Sequence, residues 1–107
     1  MNGTAYISGP ISSKPKTHID DFKRAKEWLL YFDYFPIDPH DVSEYFEDKA
    51  WRDYMGECLH ALIEDADYIY LLPGWWHSKG AWLELVVALF CKIKILNFSL
   101  PKDRSNG

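Results

Sequence analysis

Glu84 is the only polar side chain in the eleven residues from Ala81 to Cys91. A carboxylate one turn into an otherwise apolar helix must reach water, find a partner or take up a proton. Its spacing allows an exposed stripe, an ion pair with Lys79, or a role in chemistry. Ser78 and Gly80 stand just before it, where a helix start presents backbone N–H groups that no helical carbonyl satisfies and that favour an anion. Glu84 follows Gly80 by four residues and shares its face. A carboxylate in that position can attack or stabilise an electron-poor sugar carbon, as the acids of glycosidases do.

Two other turns carry small residues suited to ligand contact. Ser8-Gly9-Pro10 and Pro73-Gly74-Trp75 join Ser78 and Gly80 as a candidate cradle, glycine permitting close backbone approach and serine adding a hydroxyl. Ordinary turn and cap chemistry accounts for the same residues. Neither glycine spacing is that of a Walker loop or a dinucleotide fingerprint. Trp75 and Trp76 divide between stacking on a nucleobase and packing in the core or a subunit contact. Asp53 and Asp67 could orient a hydroxyl or the nucleophile, although Asp53 lies off the apolar stripe and also fits a solvated surface. Asp38 and His40 end an apolar run, at a place that suits either ligand contact or a turn. The four histidines are scattered and the cysteines form no CxxC pair, so neither a metal nor another cofactor is expected.

The elements that must position these residues follow from periodicity. Ala5-Tyr6-Ile7 is a short buried strand emptying into Ser8-Gly9-Pro10. From Thr17, with Asp20 at capping-box spacing, the positions Phe22, Ala25, Trp28, Leu29 and Phe32 trace a helix. Tyr34 to Ile37 is a second strand, ended at Asp38-Pro39-His40. Residues 41–47 are polar and suit a loop or a helical turn. Trp51, Met55, Cys58, Leu59, Leu62 and Ile63 mark one face of a second long helix. Tyr68 to Leu72, Ala81 to Cys91 and Ile93 to Phe98 complete the alternation as strand, helix and strand.

This order predicts an α/β three-layer sandwich, Rossmann-like or flavodoxin-like, with a parallel sheet of four or five strands in the order 2-1-3-4. The chain then reverses direction between the first and third strands, and a crevice opens above their carboxyl ends. Both glycine turns and the Ser78–Gly80 helix start meet there. Residues 1–100 read as a single domain and 101–107 as a flexible tail.

A net charge of −4 and pI near 5.5 argue against polymeric nucleic acid as a partner. Ala81 to Cys91 is too short to span a bilayer, which takes about 20 residues, so no membrane partner is expected. Cys58 and Cys91 fall in apolar helical patterns and read as reduced core thiols, which suits a cytoplasmic protein. Five Trp, seven Tyr and six Phe exceed what a core of this size needs. Flat ligands or a subunit contact would use the surplus.

Together Tyr6-Ile7-Ser8-Gly9-Pro10, Asp38-Pro39, Trp51…Asp53-Tyr54-Met55, Ala66-Asp67 and Leu72-Pro73-Gly74-Trp75…Ser78-Lys79-Gly80-Ala81…Glu84 resemble a small phage and bacterial family of unknown function, DUF4406. That family is similar to nucleoside 2-deoxyribosyltransferases and nucleoside 5′-monophosphate N-glycosidases. The resemblance implies hydrolysis or transfer at the N-glycosidic bond of a nucleoside or nucleoside 5′-monophosphate, without a cofactor. It implies Glu84 as the nucleophile at C1′ and Asp53 as a catalytic residue that helps orient the site. Ser8, Gly9, Ser78 and Gly80 would hold the 5′ end, and Tyr6, Pro10, Asp38, Gly74 and Trp75 would join the substrate-binding set. A homodimer or higher homo-oligomer is implied as well. Where the monophosphate hydrolases place an arginine after the first strand, this chain has Ile11-Ser12-Ser13-Lys14-Pro15-Lys16. A catalytically silent nucleotide-binding or regulatory module is the alternative expectation, and a docking protein using the Trp75-Trp76 loop a further one.

Overall fold

The computed structural model describes residues 2–10, 18–42 and 50–97. The elements are β1 (Gly3–Ser8), α1 (His18–Tyr31), β2 (Tyr34–Ile37), α2 (Pro39–Val42), α3 (Trp51–Asp65), β3 (Tyr68–Leu71), α4 (Lys79–Phe90) and β4 (Lys94–Asn97), with a single 3₁₀ turn at Trp75–His77. The Thr17 cap, the loop 11–16 and the tail 101–107 lie outside the described residues.

The described sheet has four strands, all parallel, in the order β2-β1-β3-β4. β1 is central, and its residues Ala5 to Ser8 are all buried because helices cover both faces. Alternation along the strands separates two cores. Tyr6, Ile69 and Leu71 point into the larger one with Met55, Cys58 and Leu62 of α3 and Ala81, Leu85 and Ala88 of α4. Ala5, Ile7 and Leu72 point into the smaller one with Phe22, Ala25 and Leu29 of α1.

Two local features depart from the expectations set by periodicity. The chain turns helical at once after β2, because Pro39 begins α2 with a preset φ and Asp38 caps it, its Oδ1 accepting the His40 N–H at 2.9 Å. α4 starts at Lys79, two residues earlier than periodicity suggests, since the Ser78 Oγ accepts the Ala81 N–H at 3.1 Å and closes the first turn. Both cysteines are free; Cys58 is buried as expected, but Cys91 lies past the end of α4 and is exposed. Among the described residues no helix is long and apolar enough to cross a membrane.

Candidate active site

β1 and β3 run side by side to their carboxyl ends, where the Leu72 N–H donates to the Ser8 carbonyl at 2.9 Å. The strand order reverses between them, so the turns after both strands open onto one crevice. Gly74 follows β3 with φ 83°, a left-handed conformation that disfavours any side chain, and it swings the chain through Trp75–His77 to the Ser78 cap. Capping uses the Ala81 N–H, leaving those of Lys79 and Gly80 as the ones no helical carbonyl can satisfy.

Glu84 points from α4 into the sheet and is 5% exposed. Tyr6 and Ser8 sit two residues apart on β1 and therefore share the face that meets it. The Tyr6 Oη donates to Glu84 Oε2 at 2.6 Å, and the Ser8 Oγ donates to Oε1 at 2.6 Å. Burial raises the Glu84 carboxyl to about 7, although both hydroxyls act to lower it. Neutral donors steady a carboxylate without cancelling its charge, so desolvation wins. Burial, followed by the charge of Glu84, pushes the Tyr6 phenol well above its ordinary value. Tyr6 is thus a donor throughout the range in which Glu84 titrates.

The buried Cys58 thiol lies within electrostatic range of Tyr6, Tyr54 and Glu84, and burial pushes it up to about 11. Tyr54 approaches the site from the same buried face of α3 as Met55 and Cys58. Burial first, then Cys58, Glu84 and Asp38, raise its phenol, so it lies within electrostatic range of both buried acids. The α3 apolar stripe contained the signal for it: Tyr54, like Met55 and Cys58, belongs to the helix's buried face.

The remaining expected residues divide. Ser78 and Gly80 lie at the start of the helix that carries Glu84. Gly9 and Gly80 have packing reasons to be glycine: an added Cβ would come within 2.7 Å of the Leu72 side chain and 3.1 Å of the Met55 Sδ, respectively. Pro10 is buried directly after Gly9. Trp75 is 1% exposed, its ring edge-on to Trp82 at 4.6 Å, and so it packs in the core rather than offering a face for stacking; Trp76 is half-buried. Asp53 is not brought to Glu84: it is exposed on the outer side of α3, along an open groove with Arg52, Gly56, Glu57 and His60. Asp67 accepts the Thr4 N–H at 3.1 Å at the opposite, amino end of β1.

Asp38 is equally buried, but its partners lie on the α1 side of the sheet. Lys26 Nζ is 3.2 Å from its Oδ2 and His40 Nδ1 2.7 Å from its Oδ1. Burial would raise this carboxyl, yet the bonds from His40 and Lys26 outweigh it and hold the group below its usual range. Among the described residues no cluster of His, Cys, Asp and Glu has the geometry to hold a metal ion.

A profile described as a domain of unknown function, DUF4406, matches residues 3–97, from the first strand to the last. The chain belongs to the DUF4406 family. No curated protein matches it. The match to DUF4406 brings no activity with it.

Proposed function

We propose that this DUF4406 domain cleaves or transfers the base of a nucleoside or nucleoside 5′-monophosphate, with Glu84 as nucleophile. The observation that carries the reading is the buried Glu84 carboxylate, held by Tyr6 and Ser8 at the point where the strand order reverses. A Glu84 oxygen would bond to C1′ as the bond from C1′ to the base nitrogen breaks. The bonding pair leaves with the base, whose ring takes up a proton, and water or a second base then displaces Glu84 from C1′. The start of α4 at Ser78–Gly80 and the Ser8-Gly9-Pro10 turn would hold the polar 5′ end. The resemblance to nucleoside deoxyribosyltransferases and 5′-monophosphate N-glycosidases supports the same bond, and it supports a homo-oligomer acting on small molecules in the cytoplasm.

Attack requires the ionised acid, so the rate should rise with pH through about 7. Incubation with a panel of nucleosides and nucleotides should release free base, and mass spectrometry of the denatured protein should find a glycosyl adduct on Glu84. No free base from any substrate, or full activity in Glu84→Gln, would overturn the reading. A second reading has its own observation: both Glu84 oxygens already accept a short hydrogen bond, which suits a silent module that grips a ribose hydroxyl. Calorimetric binding of a nucleotide without turnover would favour it.

A further inference from the structure

The face of the sheet away from Glu84 carries a cavity that the reaction proposed above does not use. α1 packs over β1 and β2, and the space beside it over β3 holds about 500 Å³. Small-molecule sites have volumes of roughly 300–1,000 Å³. Tyr70 and Leu72 reach this space because they alternate on β3 with Ile69 and Leu71, which face the Glu84 side. Buried Ala25 and Leu72 give the cavity an apolar floor, and Trp28, Tyr31 and Tyr70 give it aromatic walls. The rings of Trp28 and Tyr70 are 5.5 Å apart and inclined at 48°, too steeply to stack on each other. Trp28 remains 41% exposed and Tyr31 83%.

Charges at the rim select among flat ligands. Arg24 donates to Asp21 at 2.7 Å, so a donor and an acceptor stand side by side at one end of the cavity. That pair is complementary to a heteroaromatic edge bearing an N–H beside a ring nitrogen or carbonyl. Glu27 is the remaining charge among the lining residues, and it repels an anion.

We propose that this cavity binds a neutral, flat heteroaromatic ring with a donor and an acceptor on one edge, the chemistry of a free nucleobase, and that it discriminates against phosphorylated forms. Trp28 and Tyr70 would receive the face of the ring, and the Asp21–Arg24 pair would fix its orientation. The site does not depend on the reaction proposed above, since it lies across the sheet from Glu84.

Nuclear magnetic resonance of the full chain tests the assignment. Adenine at millimolar concentration should shift the indole N–H signal of Trp28, identified by its absence from Trp28→Leu. Glu84→Gln should respond to adenine as the wild type does. In that same variant, which cannot release base from a nucleotide, adenosine 5′-monophosphate should need at least a tenfold higher concentration for an equal shift. Arg24→Ala and Tyr31→Ala should each weaken the adenine response severalfold while keeping the wild-type circular dichroism, because both side chains are exposed. A Trp28 signal that adenine does not move, a response lost in Glu84→Gln, one undiminished in both surface variants, or equal responses to adenine and its monophosphate would overturn the inference. If adenine binds here and no substrate releases free base, the site stands and the proposed reaction falls.

Discussion

Glu84 and Asp38 are buried to the same degree, each 5% exposed, at the same carboxyl edge of one sheet, and their acidities move in opposite directions. Asp38 has a lysine and a histidine beside it and caps a helical turn, so its charge is matched where it sits. Glu84 has two neutral hydroxyls, which orient its oxygens but leave the charge uncompensated. Matched, a buried acid becomes a strut between α1 and the β2–α2 turn. Unmatched, it stays poised to change its protonation or its covalent partner, which is what a nucleophile must do.

The most severe way to break this contrast is Glu84→Gln. Free-base release should fall by about 10³-fold or more, because an amide cannot attack C1′. At pH 8 the same variant should melt above the wild type, since it buries no charge, and near pH 5 this advantage should vanish.

The next effect is the wild type's own stability profile. Folded Glu84 holds its proton up to about 7, whereas the unfolded chain loses it near 4.5. Between those values the folded state binds more protons, so stability falls as pH rises, by about 3 kcal/mol. Asp38 has the opposite sign: its contribution is present above the unfolded value of 3.8 and is lost as pH falls through its lower folded value. Urea titrations from pH 3 to 9 should therefore place maximum stability in the acid range, near pH 5. Asp38→Asn should cost about 1–3 kcal/mol at pH 7 by removing the carboxylate that His40 and Lys26 share, Lys26 keeping Asp41 at 3.6 Å. The cost should shrink as pH falls through the lowered folded value of Asp38.

Tyr6→Phe sharpens the contrast without erasing it. Removing one donor leaves Glu84 less able to ionise, so the pH–rate profile should move to the alkaline side; an unmoved profile would show that the phenol does not act on the acid. The smallest effect is expected at Asp53, where Asp53→Ala should change stability by less than about 0.5 kcal/mol. A large drop in kcat in that variant would bear out the orienting role expected of Asp53 from the resemblance.

Glu84 could be read from sequence because its neighbours are so apolar that a carboxylate among them demands an account. The strand order was legible for a related reason: strict alternation of strand and helix, with right-handed crossovers, leaves few arrangements. Asp53 was named by resemblance in position, which takes no account of helical phase, and the helix leaves it exposed. One residue on, Tyr54 falls on the buried face and reaches toward the site instead. Trp75 and Trp76 were indistinguishable in the sequence, and the left-handed turn at Gly74 decided which ring entered the core.

The sequence by itself determined the layers, the order of the strands and the presence of one costly acid in α4, since all three depend on patterns repeated along the chain. Only the tertiary structure decided what that acid would be. Its acidity depends on which groups from distant parts of the chain are packed against it, and the parallel pairing of β1 and β3 under α4 brought it Tyr6 and Ser8 rather than a cation.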